Sequence, residues 1–327
     1  MKKYCIIARN LSSKAGGIAV YGRNLIKELK YKGFDVCISP QEKGLFPLSS
    51  IKWLLIDTPL FLFKTDADIY HAIGIIEGMV LPILKPKDKK YITIHDLIPL
   101  KYKGNGFRKK FERFLVRIGL FLARFYDWIF TVSHLTKVDT VRFGSIDETK
   151  IKVVYQPIHE KFLKTPIVKK KRTTFNIGYI SRMEEYKRHE LLIREFMKYP
   201  NPNARLYLAG TGALFKKIKE SIKSDNRIII LGFVPDDKLV EFYDILDVYV
   251  HTSKYEGWGL PIIEAILREK PAIVIRDTEL PQEVKDICLV TDNLPVTFTQ
   301  LYENRKILKK LSKRQKKRAL SLLSPGH

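Results

Sequence analysis

Short apolar runs alternate along the chain with longer stretches whose apolar positions return at helical spacing. In the first half, Tyr4 to Ala8, Asp35 to Ser39, Ile69 to Ala72, Tyr91 to Ile94 and Trp128 to Val132 read as strands, and Ile18 to Lys30 reads as a helix between the first two. A second series begins after Pro157 and a basic connector, with strands at Phe175 to Tyr179, Arg205 to Ala209, Ile228 to Leu231, Val248 to His251 and Ala272 to Ile275. Strands that are apolar almost throughout and separated by helices belong in parallel sheets covered on both faces. The pattern therefore predicts an α/β protein of two doubly wound parallel-sheet domains, residues 1–165 and 166–327. Such sheets bind ligands beyond the carboxyl ends of their strands, so a cleft between two facing domains is the expected site.

Composition narrows the class. The 327 residues are enough for two cores, and 45% hydrophobic content fits globular protein. No run of about eighteen uncharged apolar residues is present, so a membrane-spanning helix is not expected. The apolar stretch after Lys2 and Lys3 reads as a first strand and not as a secretion signal. Cys5, Cys37 and Cys288 are odd in number and scattered, with no spacing for a metal site or a disulfide framework, which points to a reducing cytoplasm. The formal charge of +24 predicts affinity for something anionic, whether nucleic acid, an acidic membrane or a phosphorylated substrate. Its densest runs, Lys169 to Arg172 and Arg305 to Arg318, read as a flexible connector and a solvated helix face.

The chemistry concentrates at Lys254 to Glu264. Gly257 and Gly259 leave backbone N–H groups uncovered, and Pro261 opens a helix whose positive end suits a diphosphate. Glu256, before the turn, and Glu264, one to two turns into the helix, are placed to accept hydrogen bonds from two sets of sugar hydroxyls. Other candidates also follow strands: Gly16 and Gly17, His95 and Asp96, Arg182 and Lys187, Gly210 to Gly212, and Gly232 with Phe233 and Val234. Singly, each has a plainer reading as a helix start, a structural histidine, a charged loop neutralised by Glu184 and Glu185, or a tight turn.

Their order resembles that of the family 4 retaining glycosyltransferases of GT-B architecture, two Rossmann-like domains, over nearly the whole chain. The likeness rests on GGIAVYGRNLIKEL near the start, TIHDLIPL at 93–100, TVSHLTKVDTVRFG at 131–144, KIKVVYQPI at 150–158, IGYISRMEEYKRHELLIREF at 177–196, YLAGTG at 207–212, and ILGFVPDDKLVEFYDILDVYVHTSKYEGWGLPIIEAI at 230–266. The resemblance implies transfer of a sugar from a nucleotide-diphosphate donor with retention of configuration, the first domain holding the acceptor and the second most of the donor. By the same resemblance Arg182 and Lys187 bind the diphosphate, and two fixed cations suit charge growing on a departing phosphate. Glu256 contacts the donor sugar, the N–H groups of Gly257, Trp258, Gly259 and Leu260 its hydroxyls or phosphates, and Glu264 the ribose. Gly16 and Gly17 let a loop close over the diphosphate, His95 sits by the transferred sugar, and backbone groups near Gly232 to Val234 read the base. No further cofactor is implied beyond a GDP- or UDP-linked co-substrate, and the HDLIPL form leans to mannose or glucose.

No metal is expected, because Arg182 and Lys187 supply the neutralising charge; Asp66 and Asp68 read as a strand-entry turn. Two departures stand out: Leu267 to Pro271 replaces small residues and glycine, and the closing helix is expected to be short or missing. The stretch 107–126 is amphipathic, with Phe107, Phe111, Phe114, Leu115, Ile118, Leu122 and Phe125 expected to pack on the first sheet. Its basic face (Lys109, Lys110, Arg113, Arg117, Arg124) is expected to meet water or rest on anionic lipid at the inner face of a membrane, near a saccharide or lipid-linked acceptor. The alternatives are a nucleic-acid-binding protein on this scaffold, which lacks zinc spacing or an RNP-like strand, and a sugar phosphorylase or epimerase. The chain is short for a phosphorylase and shows no lysine motif for a pyridoxal cofactor.

Overall fold

The computed structural model describes all residues except 13–15, 44–47, 103, 105, 168–172, 223 and 324–327, so the basic run at 169–172 lies outside the described residues. The chain divides into two units, Met1–Pro157 and Ile158–His327.

The first unit runs β1 (Lys3–Ile7), α1 (Gly17–Tyr31), β2 (Asp35–Ile38), α2 (Leu48–Lys52), a π-helical turn (Trp53–Asp57), α3 (Thr58–Lys64), β3 (Ile69–Ala72), α4 (Leu81–Leu84) and β4 (Lys90–Ile94). It continues through α5 (Ile98–Lys101), α6 (Phe107–Ala123), β5 (Trp128–Thr131), α7 (His134–Gly144) and β6 (Ile151–Val153). Among the described residues these strands form a six-stranded sheet of order β2-β1-β3-β4-β5-β6. Every pair is parallel. Alternation along β1 sends Tyr4 and Ile6 to one face, against Tyr21 and Leu29 of α1. Cys5 and Ile7 go to the other, against Trp53, Leu62, Leu81, Val116 and Leu120. Helices thus cover both faces, as the apolar strands require.

The second unit runs α8 (Lys161–Lys164), β7 (Phe175–Ile180), α9 (His189–Met197), β8 (Ala204–Ala209), α10 (Phe215–Ser221), β9 (Ile228–Gly232), α11 (Leu239–Asp244) and β10 (Val248–His251). It ends with α12 (Leu260–Leu267), β11 (Ala272–Ile275), α13 (Gln282–Lys285), β12 (Leu289–Thr291), α14 (Leu294–Glu303) and α15 (Arg305–Leu323). Its sheet order is β12-β11-β10-β7-β8-β9, again parallel. The chain reverses direction across the sheet between β7 and β10, which makes the gap beyond their carboxyl ends the topological switch point. In the first unit the corresponding gap lies between β1 and β3.

Three expectations change. The division falls at Pro157/Ile158 and not at 165/166, because α8 packs inside the second unit: Phe162 is buried, its ring 5.9 Å from that of Tyr243. The guanidinium of Arg268 donates to the carbonyls of Thr165 (2.5 Å) and Pro166 (3.1 Å). The departure at Leu267 to Pro271 therefore has a structural job. Fully buried, Arg268 pairs twice with Asp244, at 3.0 and 2.6 Å, tying α12 to α11 and to the chain entering the unit. The basic run at Arg305 to Arg318 is a solvated helix face, as expected: α15 has 19 residues, and Leu308, Leu311, Gln315 and Ala319 are buried against the second unit while its basic positions face out. Gln315 exchanges hydrogen bonds with Ala272 at the start of β11.

The α6 reading is largely reversed. Its buried positions are Val116, Gly119, Leu120 and Ala123; of the expected stripe Phe107, Phe111, Phe114 and Phe125 are exposed, as is Phe121, while Leu115, Ile118 and Leu122 are half-buried. Small residues let the helix lie close to the sheet, and the bulky stripe is left outside. Finally, Cys5 and Cys37 are not scattered in space, since the β1/β2 register sets them opposite each other as free thiols. Asp68 sits at strand entry as read, accepting from the Lys3 N–H at 2.7 Å.

Candidate active site

The loops after β7 and β10 are stitched together across the switch point of the second unit. The Lys254 N–H donates to the Tyr186 carbonyl at 2.7 Å, and the Thr252 hydroxyl to that of Lys187 at 3.1 Å. Arg188, in the left-handed region at φ +53°, donates to the Thr252 carbonyl at 2.5 Å and grips Asp277 with two bonds of 2.9 and 2.8 Å. Gly210, at φ +118°, lies where a Cβ would be 1.9 Å from the Ser181 carbonyl oxygen, so only glycine lets the loop after β8 seat against the loop carrying Arg182.

This frame brings Lys187 and Glu256 together. The Lys187 ammonium donates to Glu256 Oε1 at 2.5 Å, with both side chains 11% exposed. His251 Nε2 lies 2.8 Å from the same oxygen, and His251 Nδ1 lies 3.2 Å from the Tyr249 hydroxyl. These partners select the tautomer with Nε2–H donating to the carboxylate and Nδ1 accepting from tyrosine. Burial would raise the Glu256 carboxyl, but Lys187 and His251 outweigh it and hold it well below the usual carboxylate range. Lys187 is correspondingly raised, the Glu256 charge overcoming its own burial.

Arg182 is exposed, its guanidinium 3.3 Å from the Tyr186 hydroxyl, while Lys187 lies 5.1 Å over the Tyr186 ring, so one buried tyrosine sits beside both cations. Past Glu256 the chain turns through Gly257, Trp258 and Gly259, all buried, and Gly259 at φ +86° starts α12 with Leu260. Glu264 is the fifth residue of that helix and accepts from the Tyr243 hydroxyl at 2.7 Å. Burial pushes its carboxyl up to about 7 against that hydrogen bond; Lys161 and Asp236 are its charged neighbours. Lys161 donates to the Asp236 carbonyl, which places α8 beside the loop of Gly232, half-exposed Phe233 and Val234. Gly232 accepts from the Gly210 N–H at 2.6 Å.

The first unit gathers its own set. His95, after β4, is buried; its Nε2 lies 3.0 Å from the Ile73 carbonyl, so Nε2–H donates there, and Nδ1 faces the Gln156 amide at 3.4 Å. That amide also donates to the Gly17 carbonyl at 3.2 Å, which links His95 to the start of α1, where Gly16 stands at φ +75°. Burial lowers the imidazole to about 4. Tyr21 meets the His95 ring edge-on at 4.9 Å, and its hydroxyl leads through Thr93 (2.9 Å) and His71 (2.8 Å) to Tyr4 (2.8 Å). Asp96 accepts from the Ile98 N–H at 3.1 Å, an orienting contact at the start of α5.

Residues 161–318 match the family model described as glycosyl transferases group 1. This stretch belongs to the group 1 glycosyl transferases. The chain is 32% identical over 122 residues, 35% of its length, to the O-antigen chain mannosyltransferase B of Escherichia coli. The alignments to the first curated relatives span 41%, 32% and 24% of those proteins, so the chain covers less than half of each. Sucrose-phosphate synthase from Thermosynechococcus elongatus superposes with a TM-score of 0.82 at 16% identity, covering 99% of this chain and 95% of that one. Anabaena HepE in complex with UDP-glucose gives 0.73 at 18% identity, covering 98% and 95%. Those likenesses carry the fold, two Rossmann-like units of the GT-B class.

The structure adds residues that sequence reading passed over. His251, Tyr249, Tyr243, Arg188 and Asp277 fix the two carboxylates and the two loops, and Gln156 holds His95. His251 and Tyr249 lie on a strand, where their spacing marks them only as buried; the signal available was a histidine five residues before Glu256. Among the described residues no group of three or more His, Cys, Asp or Glu is arranged for a metal ion.

Proposed function

We propose that the protein is a retaining hexosyltransferase, moving mannose or glucose from a GDP- or UDP-linked donor to a saccharide or lipid-linked acceptor without a metal ion. The observation that carries this is the Lys187–Glu256 pair at the switch point of the second sheet. A buried cation and a buried acceptor are held side by side, one suited to a diphosphate and the other to sugar hydroxyls. On donor binding Lys187 turns to the phosphate, Glu256 accepts from the sugar, and His251 keeps the carboxylate in place. Arg182 adds the second positive charge, and together the two cations stabilise the leaving diphosphate. Glu264 accepts from the ribose, and the Gly232 to Val234 loop reads the base through its backbone. His95 offers a neutral imidazole to the sugar's reacting end. Relatives named as mannosyltransferases favour mannose; the UDP-glucose complex of HepE favours glucose. The partners in this reading are the donor, the acceptor and an anionic membrane surface met by helix 107–126, on the cytoplasmic side.

Calorimetry with GDP-, UDP- and ADP-sugars, with and without magnesium, on the wild type, Glu264→Ala and Arg182→Ala tests the reading. Micromolar binding of one nucleotide class, indifferent to magnesium and weakened by both substitutions, is expected. Binding to none, or only with metal, defeats it.

A further inference from the structure

The helical layer on one face of the first sheet is apolar on both of its sides. Its inner side, including Trp53, Leu62, Val116, Leu120 and Ala123, packs with Cys5, Ile7, Ile92 and Ile129 of the sheet. Its outer side carries Phe107, Phe111, Phe114, Phe121 and Phe125 on α6, with Phe107 84% and Phe114 57% exposed. In the same layer, Leu55, Ile56, Leu60 and Phe63 are exposed on the π-helical turn and α3, Phe63 being 71% exposed. The phenylalanines recur at three- and four-residue spacing and so share one helix face. Isolated exposed apolar side chains are ordinary, but a grouping of this kind marks a surface that something covers.

Charge selects the occupant. Between Phe107 and Phe125 stand Arg108, Lys109, Lys110, Arg113, Arg117 and Arg124 against a single acid, Glu112. Lys110, Arg117 and Arg124 are exposed beside the aromatic stripe, and the Arg124 guanidinium lies 5.4 Å over the Phe121 ring while donating to the Gly144 carbonyl. A second copy docked through α6 would set these like charges against one another, whereas an acidic bilayer complements them. No helix among the described residues is long and apolar enough to cross a membrane, so the contact is interfacial.

We propose that α6 and the Leu55 to Phe63 stretch insert their phenylalanines and leucines into the interface of an anionic phospholipid bilayer, with the flanking lysines and arginines at phosphate level. This deepens the membrane partner and lipid-linked acceptor of the proposed function and rests on that reading for its purpose. It differs from a purely electrostatic contact because the apolar side chains supply binding that salt does not screen.

The test is flotation of the full chain with vesicles of phosphatidylcholine alone and of phosphatidylcholine with phosphatidylglycerol, at low and high salt. The expected result is association with the anionic vesicles that persists in part at high salt. Phe114→Ser with Phe121→Ser, and separately Leu60→Ser with Phe63→Ser, weaken it about tenfold or more. Arg117→Gln with Arg124→Gln removes the preference for anionic lipid. Absence of flotation overturns the proposal, as does binding lost in the glutamine variant but intact in both serine variants. Vesicle-independent self-association that the serine variants abolish assigns the face to a second copy and overturns it too. Donor-sugar binding by the same proteins reports on folding and on the other reading: a wild type that floats but binds no nucleotide sugar supports the membrane face and defeats the transferase reading.

Discussion

At the carboxyl end of the first sheet two buried histidines, His95 and His71, are held neutral, whereas at that of the second the Lys187–Glu256 and Arg188–Asp277 pairs are held charged. Burial lowers His95 to about 4 and His71 to about 3, and their partners are a tyrosine, a threonine, an amide and a carbonyl. Lys187, Glu256, Arg188 and Asp277 are instead compensated in pairs. A neutral network gives direction without field; a pair of opposite charges stores a field that a diphosphate can redirect. The two ends therefore respond differently to substitution and to pH.

The largest effect is expected from Lys187→Ala. It strands the Glu256 carboxylate, so denaturant unfolding should show a loss of about 3 kcal/mol, and donor turnover should fall on the order of a thousandfold. Adding Glu256→Gln should restore most of the stability and none of the turnover, which a double-mutant cycle reads directly. If Lys187→Ala is as stable as the wild type, the ends do not differ as described.

His95→Ala should lower turnover about a hundredfold, through lost positioning and not lost charge. Its pH signature is separate. A histidine whose folded pKa lies below its usual 6.5 stabilises the protein above that value, and this is lost as pH falls toward about 4. His95→Asn should flatten the acid side of the stability profile. An unchanged slope there, together with unchanged turnover, would remove His95 from the site.

Glu264→Gln sharpens the contrast inside the second unit. Its carboxyl is raised from 4.5 to about 7, so the wild type carries extra stability at low pH that disappears as pH rises through about 7. The variant should exceed the wild type at pH 8, by at most about 3 kcal/mol, and match it below the usual carboxylate range. Nucleotide affinity should fall about tenfold at the same time. A variant destabilised at every pH would contradict the burial argument.

The smallest structural effect belongs to Arg182→Ala. This side chain is exposed, so stability should move by no more than about 0.5 kcal/mol while donor affinity drops about tenfold in calorimetry. Equal destabilisation by Arg182→Ala and Lys187→Ala would erase the distinction between the two cations.

Much of this was legible in the chain. Ten strands were placed within a residue or two, because buried parallel strands are apolar almost throughout; Ile151–Val153 and Leu289–Thr291, three residues each, were too short to register. The candidate residues were legible as strand-end motifs, and Lys187 and Glu256, 69 positions apart, do meet. Their second partner, His251, was hidden on a strand among apolar neighbours.

By itself the sequence determined which residues share an element and a face, since period and turn chemistry are local properties of the chain. Only the tertiary structure decided which face is buried, which distant residues touch and which protons are held. The α6 stripe shows the first, because periodicity groups the phenylalanines without saying that Val116, Gly119, Leu120 and Ala123 would win the sheet. Cys5 opposite Cys37 shows the second, through strand order. Glu256 and Glu264 show the third: two carboxylates eight residues apart are shifted in opposite directions, one beside a buried ammonium and one buried against the Tyr243 hydroxyl, because a pKa is set by the surrounding charge and solvent and not by the residue that bears it.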